Sequence, residues 1–259
     1  MQIERDLYGA WDRGEMRVHY QPIVDVADQE VVGVEALLRW CHPRLGNVPA
    51  EVAIEVAQRQ GLMDPLGTWV LHEVCNEMAC RHSEGGAGRD LFASVNVSPS
   101  QLQNFPKILR RALDESGLRP GKLHLELTES TEIRDERRAA SQLACAREMG
   151  VEVWLDDFGT GFSRLSHLHQ LSLDGIKIDR SFVAILRHDP YYLALTAAIV
   201  SMAHSLDLLV VAEGVETQDQ LDLLRHCHCD LAQGHWLGYP VNASDLVRLL
   251  DEGRARARV

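Results

Sequence analysis

Acidic and amide side chains recur along this chain directly after short apolar runs, where they could act together. Glu213 follows the run 208–212, and the adjacent pair Asp156 and Asp157 follows 151–155. Oxygen ligands without clustered His or Cys suit a hard divalent cation, Mg²⁺ or Mn²⁺, rather than Zn²⁺. Carboxylates gathered in one place need such cations, because like charges repel and isolated buried charges are very costly. The other polar residues at comparable positions are Glu35, Asn96, Glu126, Glu129, Lys177, Asp179, Glu216 and Gln233.

Each of these acids, taken alone, is better explained as a cap of the helix that follows its strand. The set as a whole is not. Asp156 and Glu213 follow their apolar runs directly, at the last position expected to be buried in each strand, whereas a capping acid normally lies beyond the strand. Lys177 lies inside an apolar run and not beyond its end, which a cap does not explain.

The elements that must position these residues alternate between strand and helix. Apolar and β-branched runs predict eight strands, and most of the intervening segments have helical spacing. This alternation favours the α/β class, a TIM-like (β/α)8 barrel whose strands end at one common mouth. The predicted strands cover 18–24, 31–38, 91–97, 122–127, 151–155, 175–178, 208–212 and 229–232, and the predicted helices 65–79, 105–116, 135–149, 190–205, 218–225 and 244–250, the last with Ser244 as its N-cap.

The first two predicted strands break the parallel pattern. Residues 25–30 alone separate them, too few for a crossover helix, so the two strands must form a hairpin. One strand of the barrel is therefore expected to run antiparallel to its neighbour.

Length and charge restrict the classes of protein that fit. The chain has 259 residues, of which 46% are apolar and 25% charged, and a formal net charge of −12. We expect one barrel domain over 1–259, with 253–259 as a frayed tail. The negative charge argues against DNA or an anionic membrane as the main partner. Without a signal peptide or an apolar run of about 18 residues, we expect a cytoplasmic protein with reduced cysteines and no membrane segment in this chain.

Nine ordered motifs, which together span nearly the whole chain, resemble one known family. They are Tyr20-Gln21-Pro22-Ile23, Glu35-Ala36-Leu37-Leu38-Arg39-Trp40, His42-Pro43, Asn96-Val97-Ser98, Glu126-Leu127-Thr128-Glu129-Ser130, Asp156-Asp157-Phe158-Gly159-Thr160-Gly161, Ile176-Lys177-Ile178-Asp179, Ala212-Glu213-Gly214-Val215-Glu216 and Gln233-Gly234. The chain resembles the EAL domain, the family of cyclic di-GMP phosphodiesterases named for the tripeptide Glu35-Ala36-Leu37.

The resemblance implies a barrel with an antiparallel first strand that hydrolyses cyclic di-GMP to linear pGpG. It implies one or two Mg²⁺ or Mn²⁺ ions, held by Glu35, Asn96, Glu126, Asp156 and Asp157. Glu213 would be a further ligand or the base acting on the attacking water, which Lys177 and Gln233 would position. Glu129 would anchor the loop 158–163, which in this family links metal binding to dimer contacts. The substrate contacts would be Gln21, Leu38, Arg39, Asp179, Glu216 and Pro240.

The resemblance also implies partners. Besides cyclic di-GMP, we expect a second copy of the chain in a homodimer. We also expect an N-terminal sensory or regulatory domain in a longer parent protein.

Other functions and other roles of single residues are compatible with parts of the sequence. A catalytically inactive cyclic di-GMP-binding module would typically lack the tripeptide Glu, the paired acids or the loop glycines, and this chain keeps them all. A lyase with Lys177 as base fits a barrel but not the ordered motifs. The segment 226–229, His-Cys-His-Cys, invites a zinc interpretation, although a partly buried strand entry is favoured. His42 could lie near the mouth or play a structural role.

Overall fold

The computed structural model describes residues 2–84, 90–102, 104–128, 136–159 and 171–251, the side chains of Gln2, Glu136 and Asp251 excepted. Glu129, most of the loop 158–163 and the predicted tail 253–259 lie outside the described residues.

Eight strands close into a barrel, and a ninth short strand extends one of them. The strands are β1 (Met16–Asp25), β2 (Val31–His42), β3 (Gly46–Val48), β4 (Phe92–Asn96), β5 (Leu123–Thr128), β6 (Glu152–Phe158), β7 (Gly175–Ile178), β8 (Leu209–Ala212) and β9 (Leu231–Gln233). Neighbours from β2 through β4 to β9 are parallel, while β1 pairs antiparallel with both β2 and β9 and so closes the barrel. The extra strand β3 pairs with the outer end of β2. The predicted TIM-like barrel with an antiparallel first strand is confirmed.

Helices follow most strands and cover the barrel. They are α1 (Gln2–Leu7), α2 (Ala50–Gln60), α3 (Met63–Glu84), α4 (Phe105–Ser116), α5 (Glu136–Glu148), α6 (Arg180–Ile185), α7 (Pro190–His204), α8 (Gln218–His226) and α9 (Ala243–Asp251). The sequence pattern did not predict α1, β3 and α6, which are too short for a periodicity to emerge. It also missed α2, whose buried stripe consists of small side chains: Ala53, Val56 and Ala57.

The predicted N-cap of the last helix is wrong by two residues. This helix begins at Ala243, and the side-chain oxygen of Asn242 accepts a hydrogen bond from the main-chain amide of Asp245 at 2.9 Å. Ser244 instead donates its hydroxyl to that same Asn242 oxygen. Both residues are good caps, so the sequence alone did not decide between them.

An aromatic layer fills the barrel below the ends of the strands. The ring of His124 stacks on Phe92 at 4.0 Å between centroids and on Trp154 at 5.4 Å. Burial lowers the pKa of His124 to about 3, so the stacked imidazole is neutral. On β5 and β6, Glu126 and Asp156 lie two residues beyond His124 and Trp154, and side chains two apart share a face. The carboxylates therefore stand directly on this layer.

The aromatic layer has space for Trp154 only because Gly175 carries no side chain. A methyl group at Gly175 would lie 2.5 Å from Trp154 Cε3, so Gly175→Ala must displace a fully packed ring. We expect the unfolding free energy to fall by about 1–3 kcal/mol, as overpacking typically costs. Urea denaturation followed by circular dichroism measures this.

Gly121→Ala is the matched control, because its added methyl would meet the nearest atom, Gly150 O, at an ordinary 3.7 Å. Its stability should stay within about 0.5 kcal/mol of wild type. Equal stabilities of the two variants would show that the aromatic layer does not depend on a missing side chain at Gly175.

Candidate active site

Lys177 is the centre of the polar layer at the barrel mouth. It is fully buried on β7, a four-residue strand without an exposed position. Its Nζ atom lies 2.6 Å from Glu213 Oε1, 3.0 Å from Glu126 Oε2, 3.3 Å from Glu35 Oε2 and 3.6 Å from Asp156 Oδ1. These acids belong to β2, β5 and β6 and to the residue that follows β8. One ammonium group thus contacts acids from three strands of the barrel and from the residue that follows a fourth.

A bulge in β6 lets two adjacent acids take part in this layer. Pairing with β7 runs from Leu155 opposite Ile176 to Phe158 opposite Ile178, so Asp156 and Asp157 together face one residue of β7. Asp157 adopts a left-handed backbone conformation with φ of 57°, and its main-chain amide donates to Asp156 Oδ1 at 2.9 Å. Without such a bulge, adjacent side chains on a strand point to opposite faces.

Glu35 is held by hydrogen bonds on both carboxylate oxygens. Asn96 Nδ2 donates to Oε1 at 2.9 Å, while Gln233 Nε2 donates to Oε2 at 2.7 Å. Burial raises the pKa of Glu35, but the charge of Lys177 and the bonds from Gln233 and Asn96 outweigh it, so the pKa falls below its ordinary value. The surrounding residues therefore stabilise the charged form of Glu35.

Three neighbouring acids, Glu126, Glu213 and Asp157, are held less favourably in their charged forms. Burial raises the pKa of Glu126 well above its ordinary range and that of Glu213 to about 7, against the attraction of Lys177. Burial and then Asp156 raise the pKa of Asp157. Burial alone would lower the pKa of Lys177, but Glu126, Glu213 and their neighbours raise it well above its ordinary value. One permanent ammonium does not neutralise all of these carboxylates, so further positive charge would stabilise the layer.

The donor set fits a hard divalent cation. Asp156, Asp157 and Glu213 each offer a carboxylate oxygen within 4.8 Å of the others, and they form the one such group found in the described part of the chain. Mg²⁺ and Mn²⁺ prefer oxygen ligands of this kind. The predicted ligands Glu35, Asn96 and Glu126 adjoin this group through Lys177 and the bond from Asn96 to Glu35.

Two other candidate features are structural in the described residues. The segment 226–229 gathers no metal-binding group, and the buried thiol of Cys229 contacts main-chain oxygens instead. His42 is buried, with Nε2 3.1 Å from Asp6 Oδ2, and its Nδ1 accepts from two main-chain amides that follow it.

The predicted substrate contacts are spread around the mouth. Gln21 is buried beside Gln233, whereas Leu38 and Arg39 lie where β2 extends past the barrel alongside β1. Asp179 caps α6 by accepting from the main-chain amide of Ser181. Glu216 is exposed and Pro240 half-buried.

Gly238 is a residue of this region that the sequence motifs did not single out. Its carbonyl oxygen accepts from Gln21 Nε2 at 3.1 Å. An added methyl at this position would lie 2.8 Å from Pro22 Cγ, so this close approach requires glycine. The signal in the sequence is one glycine four residues after Gly234, which is weak on its own.

Comparison with known proteins decides the family. The family model for the EAL domain matches residues 4–240. The chain belongs to the EAL domain family. Within the family it is 38% identical over 252 residues to "Cyclic di-GMP phosphodiesterase NbdA" of Pseudomonas aeruginosa, covering 96% of this chain and 32% of that protein. It is 39% identical over 249 residues to "Bifunctional diguanylate cyclase/cyclic di-GMP phosphodiesterase MucR" of the same organism, covering 95% of this chain and 36% of MucR.

A solved EAL structure agrees closely with the fold. The structure described as "PaMucR Phosphodiesterase, c-di-GMP complex" superposes with a TM-score of 0.89 at 39% identity, covering 95% of this chain and 100% of that one. This EAL domain spans about a third of the length of the curated relatives NbdA and MucR. None of its described helices has both the length and the apolar character needed to cross a membrane.

The second prediction tests Lys177 as the charge that holds the layer together. Without metal, Lys177→Met should lower the unfolding free energy at pH 7 by about 3–5 kcal/mol, because it leaves buried carboxylates unpaired. The pKa of Glu35 then loses the attraction that lowers it, and the raised pKa values of Glu126 and Glu213 rise further above the unfolded ones. Stability is therefore retained below these pKa values and lost as pH rises through them. The deficit against wild type should therefore be smaller at pH 5 than at pH 8 in chelator-treated protein.

Lys122→Met serves as the control. Lys122 is only partly buried, and its Nζ atom lies 3.3 Å from Oδ1 of the exposed Asp90. We expect a loss of at most about 1 kcal/mol. A Lys177→Met protein as stable as the control at every pH would contradict the role given to Lys177.

Proposed function

We propose that this EAL domain is a metal-dependent phosphodiesterase that hydrolyses cyclic di-GMP to linear pGpG. The observation that carries the proposal is the buried Lys177 ammonium among four carboxylates. Two of these, Asp156 and Glu213, form an oxygen cluster with Asp157. The relatives NbdA and MucR, whose names include cyclic di-GMP phosphodiesterase, support the reaction and the substrate.

One or two Mg²⁺ or Mn²⁺ ions would be held by Glu35, Asn96, Glu126, Asp156 and Asp157, with Glu213 adjoining them. Such ions lower the pKa of a bound water and neutralise charge on a phosphoryl group. The bulge at Asp156 and Asp157 supports this assignment, because it turns both carboxylates toward the same cluster.

In the reaction, Lys177 would stabilise negative charge on the phosphate, and Glu213 would accept a proton from the attacking water. The raised pKa of Lys177 keeps its ammonium protonated, so it can stabilise negative charge that develops on the phosphate. Glu213, whose pKa burial raises to about 7, has the proton affinity of a general base at neutral pH. Gln233, beside both Glu35 and Gln21, would orient the attacking water.

Substrate contacts would come from the rim. Arg39 is a half-buried cation at the extended end of β2, suited to a substrate phosphate. The other contacts proposed from the family motifs are Gln21, Leu38, Asp179, Glu216 and Pro240, and Glu129 would anchor the loop 158–163.

We also propose that this domain is part of a longer protein. Its relatives are about three times longer than this chain, which supports an N-terminal sensory or regulatory domain in a parent protein. A homodimer and a cytoplasmic location remain predictions from the sequence.

The third prediction is the activity itself. Purified chain with cyclic di-GMP and Mg²⁺ or Mn²⁺ should yield pGpG, resolved by chromatography. Glu35→Ala should lower turnover by at least about 100-fold, since it removes a ligand together with the anchor of Asn96 and Gln233.

Glu30→Ala is the control, because Glu30 is exposed in the turn between β1 and β2. It should retain wild-type turnover. Binding of cyclic di-GMP without product under either ion would instead identify a binding module, and full activity of Glu35→Ala would refute the ligand assignment.

A further inference from the structure

The side chain of Gln233 is buried, and among the described residues only the nitrogen of its amide has hydrogen-bond partners. Its Nε2 donates to Glu35 Oε2 at 2.7 Å and to Gln21 Oε1 at 3.1 Å. Its Oε1 is buried and has no hydrogen-bond partner from the described residues. A buried acceptor without a donor costs free energy, so this oxygen would gain from a donor that binds at the mouth.

The direction of this amide is set by a chain of three hydrogen bonds. The carbonyl oxygen of Gly238 can only accept, so Gln21 must turn its Nε2 toward it, at 3.1 Å. Gln21 Oε1 then faces Gln233, which must in turn present its own Nε2. A flipped Gln233 would place its oxygen against two acceptors, Gln21 Oε1 and Glu35 Oε2.

The barrel fixes the order of these groups through its one antiparallel strand. On β1, Gln21 pairs opposite Glu35 of β2, while Ile23 pairs opposite Gln233 of β9. Gln21 therefore lies directly opposite Glu35 and two residues along β1 from the position opposite Gln233. Gly238 reaches Gln21 because it packs on the neighbouring Pro22, where a side chain would collide.

We propose that Gln21 is a positioning residue, which with the Gly238 carbonyl turns the Gln233 amide so that its free oxygen accepts the O–H of the attacking water. This assignment rests on the proposed function and replaces, for Gln21 alone, the substrate contact that the family motifs suggest. Both polar atoms of the Gln21 amide already have partners inside the protein. Gln21 thus acts through Gln233, and its loss should affect turnover more than substrate binding.

The first test needs no activity. In metal-free ¹⁵N-labelled protein, the side-chain amide protons of Gln233 should exchange slowly with solvent. Gln21→Met, which conserves volume but removes both hydrogen bonds, should speed this exchange by about 10-fold or more.

Gln101→Met is the matched control for losing a buried glutamine amide. Gln101 is equally buried and bonds to Met63 O at 3.0 Å and Ser98 N at 2.9 Å, away from the mouth. It should leave the exchange of Gln233 unchanged. Equal exchange in wild type and Gln21→Met would overturn the proposal.

The second test is a double-mutant cycle on the metal-loaded enzyme. Gln21→Met should lower kcat by about 10-fold with KM within about 2-fold of wild type, as expected for a misplaced reacting group. In a Gln233→Met background, the same change should have no further effect on kcat. Mn²⁺ affinity should be unchanged by Gln21→Met.

Three outcomes would overturn the proposal. A rise in KM with unchanged kcat would make Gln21 a substrate contact, and equal losses in both backgrounds would separate Gln21 from Gln233. A loss of Mn²⁺ affinity that parallels kcat would make the Gln233 oxygen a metal ligand. If wild type yields no pGpG, the proposed function fails, and the amide-exchange result still decides whether Gln21 holds Gln233.

Discussion

The attraction between one buried ammonium and four carboxylates is the interaction on which the mouth of this barrel depends. At an effective dielectric constant of about 20, two unit charges about 3 Å apart attract by about 5 kcal/mol. Removing each ion from water costs several kcal/mol, so a single pair would gain little. Lys177 shares its charge among several acids, and the raised pKa of Glu126 and Glu213 shows that this charge is insufficient for all of them. The site is therefore stable enough to form and still attracts cations.

The fold supplies the geometry for this balance at two levels. Below the carboxylates, Phe92, His124 and Trp154 form an aromatic stack, and Gly175 leaves the space that Trp154 occupies. Above it, the bulge in β6 brings Asp156 and Asp157 to one side. The aromatic layer keeps the dielectric constant low around Lys177, which strengthens every charge interaction in the mouth.

The sequence predicted the parts of the site that depend on strand ends. Glu126, Asp156 and Glu213 end or follow parallel strands, whose carboxyl ends must meet at one mouth, so their convergence followed from the strand pattern. The hairpin of β1 and β2 followed from the short turn between them. Lys177 stood out because it lies inside an apolar run, although its four carboxylate partners were not predicted.

Other features depend on contacts that no local pattern encodes. Asp157 is not glycine, so its positive φ, and hence the bulge, had no sequence signal. Gln21 and Gly238 are 217 positions apart and meet only because the barrel closes. The last helix began one residue before the predicted Ser244, since Asn242 and Ser244 are both good caps.

The Lys177 cluster as a cation site is the central claim, and anomalous diffraction from crystals soaked in Mn²⁺ tests it most directly. We predict manganese at the barrel mouth, with carboxylate oxygens of Asp156, Asp157 or Glu213 about 2.1 Å away. A well-ordered barrel at saturating Mn²⁺ with no anomalous peak at these residues would contradict the claim.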